Sequence, residues 1–136
     1  MLEISRSCIP YTPLRRELKD CRIALVSTSG AYVEGMQPFT ENDLSFRFIP
    51  SGTDTTKIRF VPGHFDTSKG AEDANIMFPL DRLHELAAAR EVRVLAENNI
   101  SMGLTTELRK LKETVSWEIA DVVMKMRPDI VVLTGG

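Results

Sequence analysis

The chain has 136 residues, 43% of them hydrophobic, and its 17 Lys and Arg against 19 Asp and Glu leave a formal charge of −2. A chain of this size buries enough apolar surface to hold a core without disulfides or a structural metal. Charges of both signs, 26% of all residues, exclude a disordered polyelectrolyte and the basic footprint of a nucleic-acid binder.

Residues 1–20 read as an extended arm, with Pro10 and Pro13 ahead of a charged segment that forms at most one helical turn. Residues 21–136 read as one α/β domain. Arg22 to Ser27 (RIALVS) is an unbroken apolar run opening into Thr28-Ser29-Gly30, the pattern of a parallel strand covered on both faces. Residues 31–43 carry two glycines, Pro38 and Asn42-Asp43 without a period, and read as a loop. Leu44 to Ile49 alternates, with Leu44, Phe46 and Phe48 on the inward face. Lys57 to Val61 alternates again with Ile58 and Phe60 inward, so the two strands are expected to form a hairpin or an edge pair.

Pro79 suits the first turn of a helix, and Asp81 complements the positive end of its dipole. Leu80, Leu83 and Leu86 supply the apolar stripe of that helix. Val92 to Ala96 is a fourth candidate strand. A long helix is predicted from about Thr105 to Met126, because Leu104, Leu108, Leu111, Val115, Ile119, Val122, Val123 and Met126 recur every three or four residues. That stripe is read as core, and Trp117 needs no functional reading. Pro128 ends the helix, and Asp129 to Thr134 (DIVVLT) is a second apolar strand before Gly135-Gly136. Strands alternating with helices predict a layered α/β domain with a mainly parallel sheet flanked by helices. Such sheets carry their chemistry beyond the carboxyl ends of their strands, where the last strand here delivers Thr134, Gly135 and Gly136. The expectation is therefore the amino-terminal part of a larger subunit, truncated at its carboxyl end. An apolar face or edge left open would make it a homo-oligomer.

The densest polar stretch, Pro62 to Asn75, lies between a strand and a helix. In an extended backbone His64 and Asp66 share a side, as an imidazole and its orienting carboxylate do. Asp73 and Asn75 add oxygens for a substrate, or else cap turns and the following helix. Ser29 and Gly30 follow a buried strand and offer backbone N–H groups to an anion, or simply turn the chain. No metal site is read, since Cys8, Cys21, His64 and His84 have no ligand spacing. No apolar run approaches the ~18 residues of a membrane helix. Met1 to Pro10 carries Glu3 and Arg6 and no signal core, so the cysteines are taken as reduced thiols of a cytoplasmic protein.

The run from Gly63 to Leu86, GHFDTSKGAEDANIMFPLDRLHEL, with Ser101-Met102-Gly103 and the closing DIVVLTGG, resembles the selenoprotein B family of glycine, sarcosine, betaine and D-proline reductases. The resemblance implies reductive cleavage of a C–N bond by a selenolate. The selenocysteine would follow Gly136, with Thr134, Gly135 and Gly136 forming its loop. It implies a pyruvoyl group on a partner subunit, a thiol or thioredoxin-like reductant, and no cofactor in this chain itself. By position His64, Asp66, Asp73 and Asn75 match the family's characteristic loop and are expected to line the site, with His64 as proton donor or selenolate partner and Asp66 fixing its tautomer as this reading's own assignment; Ser29 and Gly30 join them on the substrate side as the strand-end loop, and the chain is expected to be inactive by itself. The alternative is a self-contained module binding a small molecule or anion, or an interaction subunit without catalysis.

Overall fold

A computed structural model describes residues 12–62 and 66–135. Its centre is β1, Arg22–Ser27, which is parallel to every strand it pairs with. On one side runs β7, Ile130–Thr134, in register from Ile23 opposite Ile130 to Ser27 opposite Thr134. On the other side lies an interrupted strand, β5 (Val94–Leu95) and then β6 (Asn98–Met102). Antiparallel to β6 is β3, Phe46–Pro50. Among the described residues the sheet therefore has β3 and β7 as its edges. β2 (Ala31–Val33) and β4 (Ile58–Phe60) make a separate antiparallel pair.

The helices are α1 (Ser68–Glu72), α2 (Leu80–Ala88), α3 (Leu108–Lys110) and α4 (Ser116–Met126). A π-helical turn, Leu111–Val115, joins the last two. Arg127 closes α4 in the left-handed conformation at φ 51°, ahead of Pro128. No helix among the described residues is long and apolar enough to cross a membrane.

The two faces of the sheet are unequally covered. Ile23, Leu25, Ile49, Ile130 and Val132 join Phe78, Leu80 and Leu83 in a core that also takes in Ile58 and Phe60 from the small sheet. Cross-strand neighbours share a face, so the register places Phe48, Ile100, Val26 and Leu133 together on the other one. That second face buries Ile100 fully but leaves Phe48 44% and Leu133 76% exposed.

Several sequence expectations are corrected here. Phe46 and Phe48 do not face the main core; β3 turns Ile49 inward instead, because it pairs with β6 and aligns Ile49 with the buried Asn99. β3 and β4 form no hairpin, since each finds a distant partner. The segment from residue 31 begins as β2 before it becomes a loop. On α2 the apolar stripe stops at Leu83, with Leu86 exposed. The candidate strand from Val92 is shorter than expected, and the buried β6 beyond it was not anticipated.

Where β5 gives way to β6, a side chain completes the ladder. The amide of Ala96 still reaches the carbonyl of Ile23, at 2.7 Å. Two residues further along β1, the Leu25 amide donates to Asn99 Oδ1 at 3.1 Å. The Asn99 amide nitrogen donates to Ser51 Oγ at 2.8 Å, and the Ser51 hydroxyl donates to the Ala96 carbonyl. At the opposite end, Asp129 fastens β7 to β1. Its Oδ2 accepts from the Arg22 amide at 2.7 Å, and its own amide donates to the Arg22 carbonyl at 2.8 Å. Cys21 is buried beside this end, and burial, followed by the charge of Asp129, pushes its thiol up in pKa.

Candidate functional site

The parallel strands β6, β1 and β7 end together, and their last residues bring distant segments into one place. Gly30 turns the chain at φ 67°, a conformation natural to glycine. Its amide donates to the Met102 carbonyl at 2.9 Å and its carbonyl accepts from Val61 at 3.2 Å. On the other flank the Thr28 amide donates to the Thr134 carbonyl at 3.0 Å. The structure thus joins the Ser29–Gly30 loop to the end of β7, although more than a hundred residues of sequence lie between them. Among the described residues a Cβ built on Gly135 would meet only Thr28 Oγ1, at 3.9 Å, so the described surroundings leave the backbone there open to approach.

Beneath this turn lies a row of hydroxyls. Register aligns Ser101 with Ser27, and Ser27 with Thr134. Ser27 Oγ lies 2.8 Å from Ser29 Oγ, and Thr134 Oγ1 donates to the Met77 carbonyl at 3.2 Å. Ser101 Oγ is buried and has no hydrogen-bond partner among the described residues. Hydroxyls both donate and accept without titrating near neutrality, so the row supplies hydrogen bonds to this strand end at constant charge.

Beside the row opens a cleft of about 350 Å³, lined by Ser29, Gly30, Phe39, Val61, Gly103 and Leu104 among others. Its outer wall is fixed by Asn42, at φ 55°, whose Oδ1 accepts from the amide and hydroxyl of Thr106 at 2.8 and 2.9 Å. Phe39 is buried against Gly103 under the Arg47 guanidinium, which stands 4.4 Å from the ring and pairs with Asp43 at 3.2 Å. Burial opposes ionisation of Asp43, yet the Ser45 hydroxyl and amide together with Arg47 hold its carboxyl below the usual range. Sequence reasoning placed none of Phe39, Asn42 and Gly103 at the site; the signals were the Asn42-Asp43 pair, whose side chains favour tight turns, and the Ser101-Met102-Gly103 triplet.

Asp73 and Asn75 sit elsewhere, on a second cleft of about 510 Å³ that they share with Thr55, Arg59, Asp81 and Arg82. Asp73 Oδ1 accepts from the amide and side chain of Asn75 at 2.9 and 3.0 Å. Asn75 Oδ1 in turn accepts from the Asp81 amide at 2.9 Å, satisfying an orphan donor of the first turn of α2. Asn75 Nδ2 and Thr55 Oγ1 both donate to Asp81 Oδ2. The Asn75 side chain, followed by its amide, holds the Asp73 carboxyl below its ordinary pKa.

Asp66 precedes α1 and accepts from the Ser68 amide at 2.9 Å. The Ser68 hydroxyl, with that amide, keeps its carboxyl ionised below the usual range. His64 and Gly136 lie outside the described residues. His84 is solvent-facing, as its place on α2 suggests, with Nε2 at 2.5 Å from the Ser51 carbonyl. Among the described residues no three His, Cys, Asp or Glu side chains converge as a metal cage.

No family model matches the chain, and no solved structure matches it. Over 128 residues it is 34% identical to the D-proline reductase subunit gamma of Acetoanaerobium sticklandii, an alignment covering 93% of this chain and 53% of that protein. The chain spans about half the length of this curated relative.

Proposed function

We propose that the chain is the front portion of a reductase subunit of the D-proline reductase gamma kind, acting in reductive C–N bond cleavage. The observation that carries the reading is the alignment through 93% of the chain. The geometry supports it, because Thr134 and Gly135 stand at the carboxyl end of the parallel β1–β7 pair beside the Ser29–Gly30 loop. A selenocysteine following Gly136 would supply a selenolate, which takes the substrate carbon as the C–N bond breaks and the nitrogen leaves with a proton. A dithiol then returns two electrons: the carbon gains a proton, the thiols become a disulfide and the selenolate is released. A pyruvoyl group on a partner subunit would make the nitrogen a better leaving group.

The chain's own residues have distinct parts in this proposal. The Thr28 amide and the Thr134 hydroxyl hold the end of β7 in place, while the open backbone at Gly135 leaves room for substrate. Ser27 and Ser29 supply neutral donors below it. His64 delivers the proton, and Asp66, held ionised, orients it. Asp73 and Asn75 shape the loop through the α2 cap. By itself the 136-residue chain has no reductase turnover.

The test is to read the gene in frame beyond Gly136 and produce the whole subunit in a host that inserts selenocysteine. A UGA at the next codon, with dithiol-dependent amine reduction once the pyruvoyl subunit is added, supports the proposal. A frame without a selenocysteine or cysteine codon near that point overturns it. A second reading, a binding module without catalysis, draws on the cleft at Ser29 and Gly103. Saturable binding of an amino acid to the 136-residue chain would favour it.

A further inference from the structure

The two edges of the sheet are built differently. β3 (FRFIP) holds Arg47 and ends in Pro50, a charge and a residue without an amide, which are the devices that keep an edge from pairing further. β7 (IVVLT) has no charge and no proline, and its register with β1 is unbroken by a bulge. The Thr134 carbonyl accepts from the Thr28 amide at 3.0 Å, so Thr134 turns its backbone polar groups to β1. By the alternation of an extended strand Ile130 and Val132 do the same, and Val131 and Leu133 turn theirs to the outer flank. Among the described residues no strand pairs with them there. Their side chains stand on the second face of the sheet, 40% and 76% exposed. The described part of the arm does not fill this flank. Between Leu14 and Arg16 on one side and Ile130 and Val131 on the other lies a cleft of about 540 Å³.

The order of the strands indicates what belongs on that edge. β5, β6 and β3 all lie to one side of β1, and the chain then crosses to the other side to lay down β7. In sheets wound outward from a central strand in both directions, the strand that follows lies outside the last one. Parallel neighbours are joined by a crossover of about a dozen residues or more, usually a helix packed on the sheet. The core face at β7 is already taken, because Ile130 and Val132 pack there with Phe78 and Leu80. A crossover leaving β7 therefore covers the second face, where Val131 and Leu133 are bare, and a parallel sheet is normally covered on both faces. The gamma subunit of D-proline reductase has the length for such an addition, since the alignment takes in 53% of it.

We propose that the open edge of β7 and the bare face beside it seat the other half of the subunit. A strand of that half runs parallel to β7 along the backbone of Val131 and Leu133, and its crossover helix lies over their side chains. The inference rests on the reading of this chain as the front portion of a reductase subunit of the gamma kind.

The test compares the dilute 136-residue protein with the whole subunit produced from the gene. The amides of Val131 and Leu133 should exchange freely in the first and be slowed about a hundredfold or more in the second. Leu133→Lys should leave the urea midpoint of the 136-residue protein unchanged and lower that of the whole subunit, because the ammonium is solvated in one and buried in the other. A whole subunit that turns over with its pyruvoyl partner, yet exchanges both amides as fast as the 136-residue protein, overturns this inference and leaves the functional reading standing. A whole subunit with both amides protected and no turnover supports the docking and overturns the chemistry. Protection already present in the 136-residue protein also overturns the inference. It gives the edge to a second copy if it fades on dilution, and to the chain's own residues if it does not.

Discussion

Asn99 is the residue whose replacement tests the architecture of the sheet most sharply. It is fully buried, and its side chain stands in for a backbone carbonyl that the break between β5 and β6 takes away from Leu25. Asn99→Ala leaves the Leu25 amide without a partner in a core where Leu25 is itself fully buried. A buried unsatisfied donor costs about 1–3 kcal/mol. Ser51 loses the bond it accepts but keeps the one it donates to Ala96, a further ~0.5–1 kcal/mol. The Ile49 carbonyl, at 3.4 Å from Asn99 Nδ2, adds little. The total is about 1.5–4 kcal/mol, a large part of the stability of a domain of this size. With a urea slope of about 1.5 kcal/mol per M, the midpoint should fall by roughly 2 M. Amide exchange at Leu25 should accelerate, because Asn99→Ala removes the acceptor of that amide. A midpoint lowered by less than about 0.5 M, with Leu25 as protected as before, would refute the view that a side chain completes this ladder.

Other outcomes follow from the same geometry. Gly103→Ala places a Cβ at 3.1 Å from Phe39, a ring held between that glycine and Arg47, and should cost about 1–3 kcal/mol in thermal or urea unfolding. Thr134→Val keeps the shape of the strand end but removes the bond to the Met77 carbonyl, and should cost about 0.5–1.5 kcal/mol by the same assay. Asp54, Asp66 and Asp73 all titrate below their ordinary value, because neighbouring hydroxyl or amide donors favour the carboxylate. A depressed folded pKa gives stability that is present above the unfolded value and lost as pH falls through the folded one. Replacing all three by Asn should therefore flatten the acid limb of the stability profile, and an unchanged limb would dissociate these bonds from acid unfolding.

The sequence revealed most where one local signal decided the outcome. RIALVS and DIVVLT are largely apolar runs, and they became adjacent parallel strands, the first at the centre of the sheet and the second at its edge. Pro79 and Asp81 opened α2, and Pro128 followed the end of α4. Ser29, Gly30, Thr134 and Gly135 were read separately from strand ends, and parallel pairing brought them together. What stayed hidden depends on partners far away in the chain. β6 reads as polar, NNISM, because Asn99 and Ser101 look like surface residues until the sheet closes over them. The alternation in β3 named the wrong face for the same reason: Phe48 is the larger apolar residue, but the pairing with β6 turns Ile49 to the core. Asp73 and Asn75 were read as substrate oxygens or as caps; Asn75 accepts from the Asp81 amide at the start of α2 and Asp73 holds Asn75, a cap that leaves their substrate role to the proposal.

The pairing of β1 with β7 bears on how the protein is made. Arg22 and Asp129, joined at the start of the pair, stand 107 residues apart. At the ~5–20 residues per second of synthesis, roughly 5–20 s pass between the emergence of one strand and that of its neighbour. During that interval the central strand of the sheet has one flank unpaired, and Ile23 and Leu25 lack Ile130 and Val132 beside them. The nascent chain is then a client for any holdase that recognises extended apolar segments. Its vulnerability ends only when the strand bearing Thr134 leaves the ribosome, so folding and completion of the candidate site are one event.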